Sequence, residues 1–462
     1  MFDSSVYIER RSTLSTKMEK GFVLLLGNNN VPMNYLSNTF PFVQDSSFLY
    51  YCGLDLPDLN ILININTGST TLYGIDQSVN DIIWEGESFS LKECAEMSGI
   101  EIVKKSDSLF KDIERINTKN ESIHILPQYR SDLKYLLEKL LGKSWKNHIS
   151  FDLIEAVVRQ RSIKSDIEIA EIQNAMSVTE IIHKLAMMTA YPGRKEEDII
   201  GELLGVVHSA GLRFAYPTIL TENGEILHNH SHQNILREGQ LLLHDGGVES
   251  KLHYATDITR TFPVSGKFSK IQKSIYEFVL NMQEEVIKKL KPGVKYVDMH
   301  ILASKICIDG LKSIGLMLGN TEDAFESGSH ALFFPHGLGH MLGLDVHDME
   351  ALGEDYVGYD EVTNRRSQFG ISYLRLGKAL ECGNVLTVEP GIYFIPTLID
   401  QWNQKGMHKE FINYSLLESF NNFGGIRIED NVLITKNGCI NLSETIPKTI
   451  ADIEDIVGRE SY

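Results

Sequence analysis

Cysteines are few in this chain, and none of them forms a CxxC pair. The five cysteines are spread widely over 462 residues, which excludes a disulfide framework and a structural zinc ribbon. Long apolar runs are also missing: the longest early one, Phe22–Leu26, is far too short to cross a bilayer, so no membrane partner is predicted. The first residues carry acidic side chains instead of an apolar segment. No secretory signal is therefore predicted, and we expect a cytoplasmic location.

Clusters of basic residues are absent as well. Asp and Glu number 62 against 44 Lys and Arg, which gives a formal net charge of −18. A nucleic-acid surface needs grouped Lys and Arg to neutralise phosphates, so no nucleic-acid partner is predicted. A hydrophobic content of 42% with 23% charged residues is ordinary for folded proteins, and the length favours two or three domains.

The first 150 residues alternate short β-rich runs with helical stretches. The runs read GFVLLLG (21–27), NILININTG (60–68), IEIVKK (100–105) and SIHILP (122–127), and the clearest helical stretch is Ser131–Leu141. This alternation predicts a small α/β domain over residues 1–150. The domain contains no cluster of metal-compatible side chains of its own.

A second domain is predicted over residues 151–462, with a long helix near its start. Ser165 and Glu168 form a capping box, and residues 191–193 (YPG) end the helical pattern. Two further amphipathic helices are predicted, over Ile271–Leu290 and Val297–Ile314, each covering a sheet.

The strands of the second domain are expected to pair antiparallel, because apolar alternation is broken by turn glycines. They are predicted over Gln240–His244, His253–Val264, Val385–Phe394 and Gly425–Thr435. Residues 396–423 are polar and irregular, and they indicate a helical insertion between two strands. The predicted fold class is α/β, of the α+β type.

Five side chains compatible with metal binding are scattered over this second domain, each within a distinctive short segment. They are Asp245 in LLLHDGG, Asp257 in ATDITRTFP, His340 in PHGLGH, Glu389 in LTVEPGIYF and Glu429 in GGIRIED. Four carboxylates and one imidazole without cysteine suit Mn²⁺, Zn²⁺ or Co²⁺. Four negative charges brought close together call for bound cations. The sequence therefore predicts a two-metal hydrolase.

The five segments resemble those of the pita-bread metallopeptidases, and within that group those of aminopeptidase P and prolidase, which cleave peptides at proline. The likeness covers residues 151–462, and the first 150 residues resemble the amino-terminal domain of the same enzymes. The resemblance implies a curved, mainly antiparallel sheet covered by helices. It also implies two divalent ions, with Mn²⁺ favoured over Co²⁺ or Zn²⁺, and attack of a metal-bridging water or hydroxide on the scissile carbonyl.

The resemblance also implies a role for each site residue. Asp257 and Glu429 would bridge the two ions, Asp245 would complete one of them, and His340 with Glu389 would complete the other. Glu389 would serve as the general base as well. The remaining positions are a substrate-binding histidine, two histidines near the scissile carbonyl and two residues that support the ligands: His228, His336, His347, Tyr393 and Arg427.

The activity favoured by this likeness is that of a proline-specific aminopeptidase, which releases the first residue from Xaa-Pro peptides. The alternative is an Xaa-Pro dipeptidase (prolidase), towards which the insertion and Arg375 in SYLR lean. A non-catalytic peptide-binding relative would be expected to lack metal ligands, and none is lost here. The resemblance further implies a homo-oligomer, either a dimer or a tetramer.

Two details of the site segments carry predictions of their own. The spacing from Asp245 to Asp257 is one residue longer than in the family, and a longer turn or a β-bulge within SKLHY would absorb the difference. Asp348 and Glu350, just after His347, are predicted to be exposed loop carboxylates and not a second acid pair.

Overall fold

Apolar runs in the first part of the chain form a five-stranded mixed sheet. The structure, a computed structural model, describes residues 1–459 and divides the chain into two units, of which the first comprises Met1–Arg161 and Ala351–Tyr356. The sheet order is β6-β5-β4-β1-β7; β6 and β7 are parallel to their neighbours, and the other pairs are antiparallel. The strands are β1 (Phe22–Leu26), β2 (Pro32–Tyr35), β3 (Asn38–Thr39), β4 (Asn60–Asn64), β5 (Thr70–Gly74), β6 (Ile102–Lys105) and β7 (Ile123–His124), with β2 and β3 forming a separate hairpin.

Amphipathic helices cover this sheet. Leu109, Ile113 and Ile116 recur at helical spacing and pack with Leu133 and Leu137 in a buried cluster that also contains sheet residues. The predicted strands and the predicted helix over 131–141 are confirmed. The helices are α1 (Ser4–Lys17), α2 (Ser46–Cys52), α3 (Val79–Glu85), α4 (Leu91–Ser98), α5 (Asp107–Thr118), α6 (Ser131–Leu141) and α7 (Phe151–Ser162).

The second unit comprises Ser162–Glu350 and the chain from Val357 onward. Its first long helix begins at the predicted capping box, where the Ser165 amide donates to Glu168 at 2.9 Å. The two later amphipathic helices lie within three residues of their predicted bounds. Within residues 1–459, no helix combines the length and apolar character needed to span a bilayer. The remaining helices are α8 (Asp166–Thr189), α9 (Glu196–Ser209), α10 (Lys270–Ile287), α11 (Tyr296–Ser313), α12 (Thr321–Ser327), α13 (Glu354–Gly358), α14 (Pro396–Gln404), α15 (Tyr414–Leu417) and α16 (Ile450–Ile456).

Strand pairs in the second unit are antiparallel, as predicted. The strand orders are β12-β10-β9, β11-β8, β13-β16-β17 and β14-β15. The predicted insertion at 396–423 contains α14 and α15 and connects β14 to β15. The strands are β8 (Arg213–Phe214), β9 (Ile219–Thr221), β10 (Leu241–Asp245), β11 (Val248–Glu249), β12 (Thr259–Pro263), β13 (Val385–Val388), β14 (Gly391–Tyr393), β15 (Gly425–Arg427), β16 (Asp430–Ile434) and β17 (Cys439–Asn441).

Two of the predicted strands, over 385–394 and 425–435, are each divided in two by a break at a glutamate. The first break falls at Glu389 and Pro390, because proline has no N–H to offer a neighbouring strand. The second falls at Ile428 and Glu429, where the Glu429 amide turns away to donate to Thr259 O at 3.0 Å. Prediction of single continuous strands was therefore wrong. Each break therefore falls at a predicted metal ligand.

The hairpin that joins β10 to β12 explains the spacing of the two aspartates. Its register runs unbroken from the Asp245 and Thr259 pair to Ser250, which donates to Tyr254 O at 2.9 Å. The three residues 251–253 make the turn, and His253 adopts a positive φ of 69°. The longer spacing is therefore accommodated at the turn, and the pairing next to the aspartates is undisturbed. The strand predicted from His253 begins only at Thr259. His253 belongs to the turn, and the facing Val248 amide donates to the Thr256 hydroxyl at 3.0 Å, which interrupts the backbone ladder.

Candidate active site

Two hairpins bring the four predicted carboxylates to neighbouring strand ends. Asp245 ends β10 and Asp257 lies two residues before β12, whereas Glu389 directly follows β13 and Glu429 directly precedes β16. The hairpins meet where Thr259 Oγ1 donates to Glu429 Oε2 at 2.7 Å. The expectation that each of these acids lies in or beside a strand is confirmed.

His340 reaches the same place because its segment runs beside β13. The Thr387 amide donates to His340 O at 3.0 Å, and the Glu389 amide donates to Leu338 O at 2.8 Å. A Cβ on Gly339 would lie only 2.1 Å from Thr387 O, so the glycine of PHGLGH permits this close approach. The imidazole is thereby placed against the carboxylates.

The site contains a buried group of potential metal ligands. Ligand atoms of Asp257, His340 and Glu429 all lie within 4.8 Å of one another. His340 Nε2 is 3.3 Å from Asp257 Oδ2 and 3.5 Å from Glu389 Oε1. His340 Nδ1 lies 3.0 Å from the carbonyl of Met341, which can only accept, so the neutral ring presents an unprotonated Nε2 to the carboxylates. The lone pair of Nε2 therefore faces carboxylate oxygens, and a cation bound between them would accept electron pairs from both.

Glu429 offers a second indication that the residues fit a metal. Its Oε2 accepts from Thr259, but within residues 1–459 its buried Oε1 has no hydrogen-bond partner. A buried carboxylate oxygen without a partner is costly. A divalent ion would satisfy it, because Mn²⁺, Zn²⁺ and Co²⁺ all accept carboxylate oxygens.

Asp245 is held by Arg427 and by a tyrosine that the sequence did not indicate. Arg427 Nη2 donates to Asp245 Oδ2 at 2.5 Å. The Tyr216 hydroxyl lies 2.7 Å from Asp245 Oδ1 and 2.5 Å from Asp257 Oδ1, so one phenol links both aspartates. Tyr216 lies in an ordinary polar and apolar stretch, and no sequence pattern distinguishes it.

Gln283 of α10 was also missed, although it supports both strand breaks. Its buried Nε2 donates to Val388 O at 3.2 Å and to Ile428 O at 3.1 Å. These two carbonyls immediately precede Glu389 and Glu429 in the chain. The amide therefore satisfies backbone groups that lose their ladder partners at the breaks.

Burial raises the pKa values of three of these acids, namely Asp257, Glu389 and Glu429. Burial and the neighbouring Asp245 raise the pKa of Asp257 to about 7. Burial and the charge of Asp257 raise the pKa of Glu429 well above its ordinary value, and the pKa of Glu389 is raised as well, chiefly by burial. Without cations the folded protein therefore favours protonated acids, whereas bound cations would favour the charged forms.

Metal binding is accordingly expected to raise the melting temperature more at about pH 8 than at about pH 5.5. The ordinary pKa of Asp257 is 3.8 and its folded value is about 7. The metal-free fold thus holds a proton that the unfolded chain has lost, and its stability falls as pH rises through this interval. Thermal melts of chelator-treated and Mn²⁺-loaded protein would measure the difference. In metal-free Asp257→Asn the melting temperature should depend much less on pH. A difference in melting temperature between metal-loaded and metal-free wild type that becomes smaller as pH rises contradicts the expectation.

His336 belongs to a directed chain of hydrogen bonds. Its Nδ1 lies 2.7 Å from Gly337 O and must donate, so its Nε2 accepts from the Tyr393 hydroxyl at 2.8 Å. The Tyr393 oxygen in turn accepts from Arg427 Nη1 at 3.0 Å. Burial and the Arg427 charge lower the pKa of His336 to about 3, so the ring is neutral near physiological pH.

The other two predicted histidines lie at the margin of this cluster. The His347 ring packs edge-on against His340, with 4.3 Å between ring centroids. His228 is exposed, and its pKa is lowered by partial desolvation and by the Arg427 charge. Contacts therefore join nine of the ten predicted site residues. His228 interacts with the others only electrostatically, chiefly with the charge of Arg427.

One prediction near His347 was wrong. Asp348 is buried and forms an ion pair with Lys164, its Oδ2 lying 2.8 Å from Nζ with each side chain only 1% exposed. The partner lies 184 residues away in sequence, so no local pattern indicated it. Glu350 is exposed, as predicted, although it is paired with His347.

Comparisons with known proteins agree with this arrangement. Residues 170–436 match Metallopeptidase family M24, and residues 7–125 match the aminopeptidase P N-terminal domain. A probable Xaa-Pro aminopeptidase of Fusarium vanettenii is 36% identical over 450 residues, covering 95% of this chain and 91% of the relative. One of Sordaria macrospora is 34% identical over 424 residues, covering 90% and 87%. The predicted boundary between residues 150 and 151 lies outside both matched stretches and stays a prediction.

Solved structures share the fold over almost the whole chain. A variant of Escherichia coli aminopeptidase P in complex with substrate has a TM-score of 0.81 at 27% identity, and 98% of each chain is covered. A zinc-substituted form of that enzyme with product has a TM-score of 0.80 at 28% identity and the same coverage. The predicted fold class and family resemblance are confirmed. The chain belongs to metallopeptidase family M24 and carries an amino-terminal domain of the aminopeptidase P type.

Proposed function

We propose that this chain is a dinuclear-metal Xaa-Pro aminopeptidase, which releases the first residue from peptides with proline in second position. The observation that carries the proposal is the buried group of Asp257, His340 and Glu429, with ligand atoms within 4.8 Å of one another. Asp245 and Glu389 adjoin it and would complete the five ligands. The relatives named as Xaa-Pro aminopeptidases support the substrate class.

Mn²⁺ is the proposed ion, with Co²⁺ or Zn²⁺ as alternatives, because the ligands are four carboxylates and one imidazole. Asp257 and Glu429 would hold both ions, Asp245 one of them, and His340 with Glu389 the other. Bound there, two divalent ions would supply Lewis acidity towards the scissile carbonyl and make water nucleophilic at neutral pH. A cytoplasmic location and a dimeric or tetrameric assembly stay predictions from the sequence and the family resemblance.

Glu389 is the proposed general base. Burial raises its pKa, which brings the carboxylate closer to the pH at which it would exchange protons. Its Oε1 accepts from Thr387 Oγ1 at 3.3 Å, and its Oε2 lies 4.0 Å from His336 Nδ1. The carboxylate would take a proton from the attacking water and deliver it to the proline nitrogen as that nitrogen leaves.

The histidines would bind and orient the peptide. His336 is fixed by its bonds to Gly337 and Tyr393, and together with His347 it would lie beside the scissile carbonyl. His228 would contact the substrate from the exposed side. An Xaa-Pro bond has no N–H that could donate to the enzyme, as it would in a substrate bound as a β-strand. A site that recognises this bond must therefore hold the carbonyl and the end of the peptide chain.

The test is product analysis with matched peptides. Mn²⁺-loaded protein is expected to convert Gly-Pro-Phe into glycine and Pro-Phe, and to leave Gly-Ala-Phe intact because specificity depends on proline. Liquid chromatography with mass detection would measure both reactions, and Gly-Pro serves as the dipeptide comparison. Preferred cleavage of Gly-Pro would assign the chain as an Xaa-Pro dipeptidase. Absence of turnover of all proline peptides under Mn²⁺, Co²⁺ and Zn²⁺ refutes the proposal.

A further inference from the structure

The loop that carries His347 is held in place by buried contacts of the residue that follows it. Asp348, the next residue in the chain, forms a buried ion pair with Lys164 at 2.8 Å. The Asp348 amide donates to Met341 O at 2.9 Å, and a Cβ on Gly343 would lie 2.5 Å from Asp348 Oδ2. The backbone under His347 is therefore fixed, and the direction of the imidazole is decided by what the ring itself contacts.

The ring has two such contacts. One is the packing against His340, and the other is the Glu350 carboxylate, whose Oε2 lies 2.7 Å from His347 Nδ1. A carboxylate accepts and cannot donate while ionised, so Nδ1 carries the hydrogen. In the neutral ring Nε2, on the side away from Glu350, then carries no hydrogen and can accept a hydrogen bond.

Glu350 is itself held in place. Arg375 Nε donates to the same Oε2 at 3.1 Å, so one oxygen receives both the imidazole and the guanidinium. The hydrogen bond from His347, followed by the charge of Arg375, lowers the pKa of Glu350 to about 2. The carboxylate is accordingly ionised at any pH at which a hydrolase of this kind would work.

We propose that Glu350, oriented by Arg375, is a positioning residue for His347: it keeps the proton on Nδ1 and leaves Nε2 available to the substrate. The part that concerns substrate rests on the proposed function, whereas the position of the proton does not. Arrangements of this type, in which a carboxylate orients an imidazole from behind, fix both ring direction and tautomer. Glu350 would act through His347 and would not touch the reacting atoms.

The proton position can be measured without turnover. Multiple-bond ¹H–¹⁵N spectra of ¹⁵N-histidine-labelled, Zn²⁺-loaded protein report which ring nitrogens carry hydrogen, and His347→Gln identifies the signals. We expect a protonated, hydrogen-bonded Nδ1 in the wild type and a shifted Nδ1 signal in Glu350→Gln. An unprotonated Nδ1 in the wild type, or an unchanged signal in the variant, overturns the proposal. The wild-type result does not depend on any variant folding.

Kinetics provide the second readout. Glu350→Ala is expected to lower kcat/KM for Gly-Pro-Phe roughly 10- to 100-fold, the usual effect of removing a residue that orients a site imidazole. The same change in a His347→Ala background should cost nothing further, because Glu350 acts through that ring. Equal losses in both backgrounds, or no loss, contradict the proposal. Glu361→Gln, which changes an exposed carboxylate later in the chain, is the matched control and should leave kcat/KM unchanged. If the wild type cleaves no peptide, the proposed function fails while the spectra still decide the role of Glu350.

Discussion

Glu429→Gln is expected to abolish metal binding at one or both positions and to lower turnover of Xaa-Pro peptides by more than about 100-fold. Removal of a residue that merely supports a metal ligand typically costs about 10- to 100-fold, and Glu429 is a proposed bridging ligand. The substitution preserves shape but removes one charge and puts an amide into a carboxylate position. Metal analysis of the purified variant, together with peptide kinetics, would measure both effects.

The same substitution, although it removes metal binding and activity, should stabilise the metal-free protein. Burial and Asp257 raise the pKa of Glu429, so the ionised form is unfavourable in the folded state and destabilises it as pH rises. Metal-free Glu429→Gln is therefore expected to melt above the metal-free wild type at about pH 8. Glu418→Gln, an exposed acid of the insertion, is the control and should change neither property. A variant that retains wild-type metal content and activity contradicts the bridging assignment.

Arg427→Met is expected to destabilise the metal-free protein by about 3–5 kcal/mol, because one partner of a buried ion pair is removed and the other is left without compensation. Arg427 Nη2 donates to Asp245, Nη1 to Tyr393 and Nε to Thr259 Oγ1 at 3.0 Å. A single guanidinium thus fixes a proposed ligand and the tyrosine that orients His336. Urea unfolding monitored by circular dichroism would give the change in free energy.

Activity should fall together with stability in this variant. Asp245 would lose its orientation, and the hydrogen-bond chain to His336 would be broken. Lys288→Met, which removes an exposed cation paired with Glu285 on α10, is the control and should cost less than about 1 kcal/mol. An unfolding free energy of Arg427→Met within about 1 kcal/mol of the wild type would show that Asp245 needs no such partner.

The amount of this site that the sequence predicts depends on how local each signal is. Asp245 and Glu389 stand at the ends of strands whose apolar alternation and turn glycines lie within a few residues, so their placement could be predicted. Tyr216 lies 29 and 41 residues from the two aspartates that it contacts, and nothing around it marks it. Gln283 presents the pattern of an ordinary helix residue. Their roles arise only when distant segments pack together.

The strand breaks show a second limit on what the sequence can predict. Alternation alone predicted continuous strands through Glu389 and Glu429, since both flanking halves do form strands. The break at Pro390 could have been inferred from its missing N–H. The break at Glu429 could not, because it arises when that amide donates to Thr259, 170 residues away. Asp348 was predicted to be exposed for the same reason, as its partner Lys164 is equally remote.

The hairpin of β14 and β15 has a consequence for how this protein can change over evolution. Gly391 pairs with Arg427 and Tyr393 with Gly425, so everything from 394 to 424 emerges from a closed stem. Lengthening such a loop costs little, since each doubling adds only about 0.6 kcal/mol of closure entropy. A lineage can therefore lengthen the exposed turns of this segment while Glu389 and Glu429 keep their positions. New surfaces can arise in this segment without disturbing the chemistry at its base.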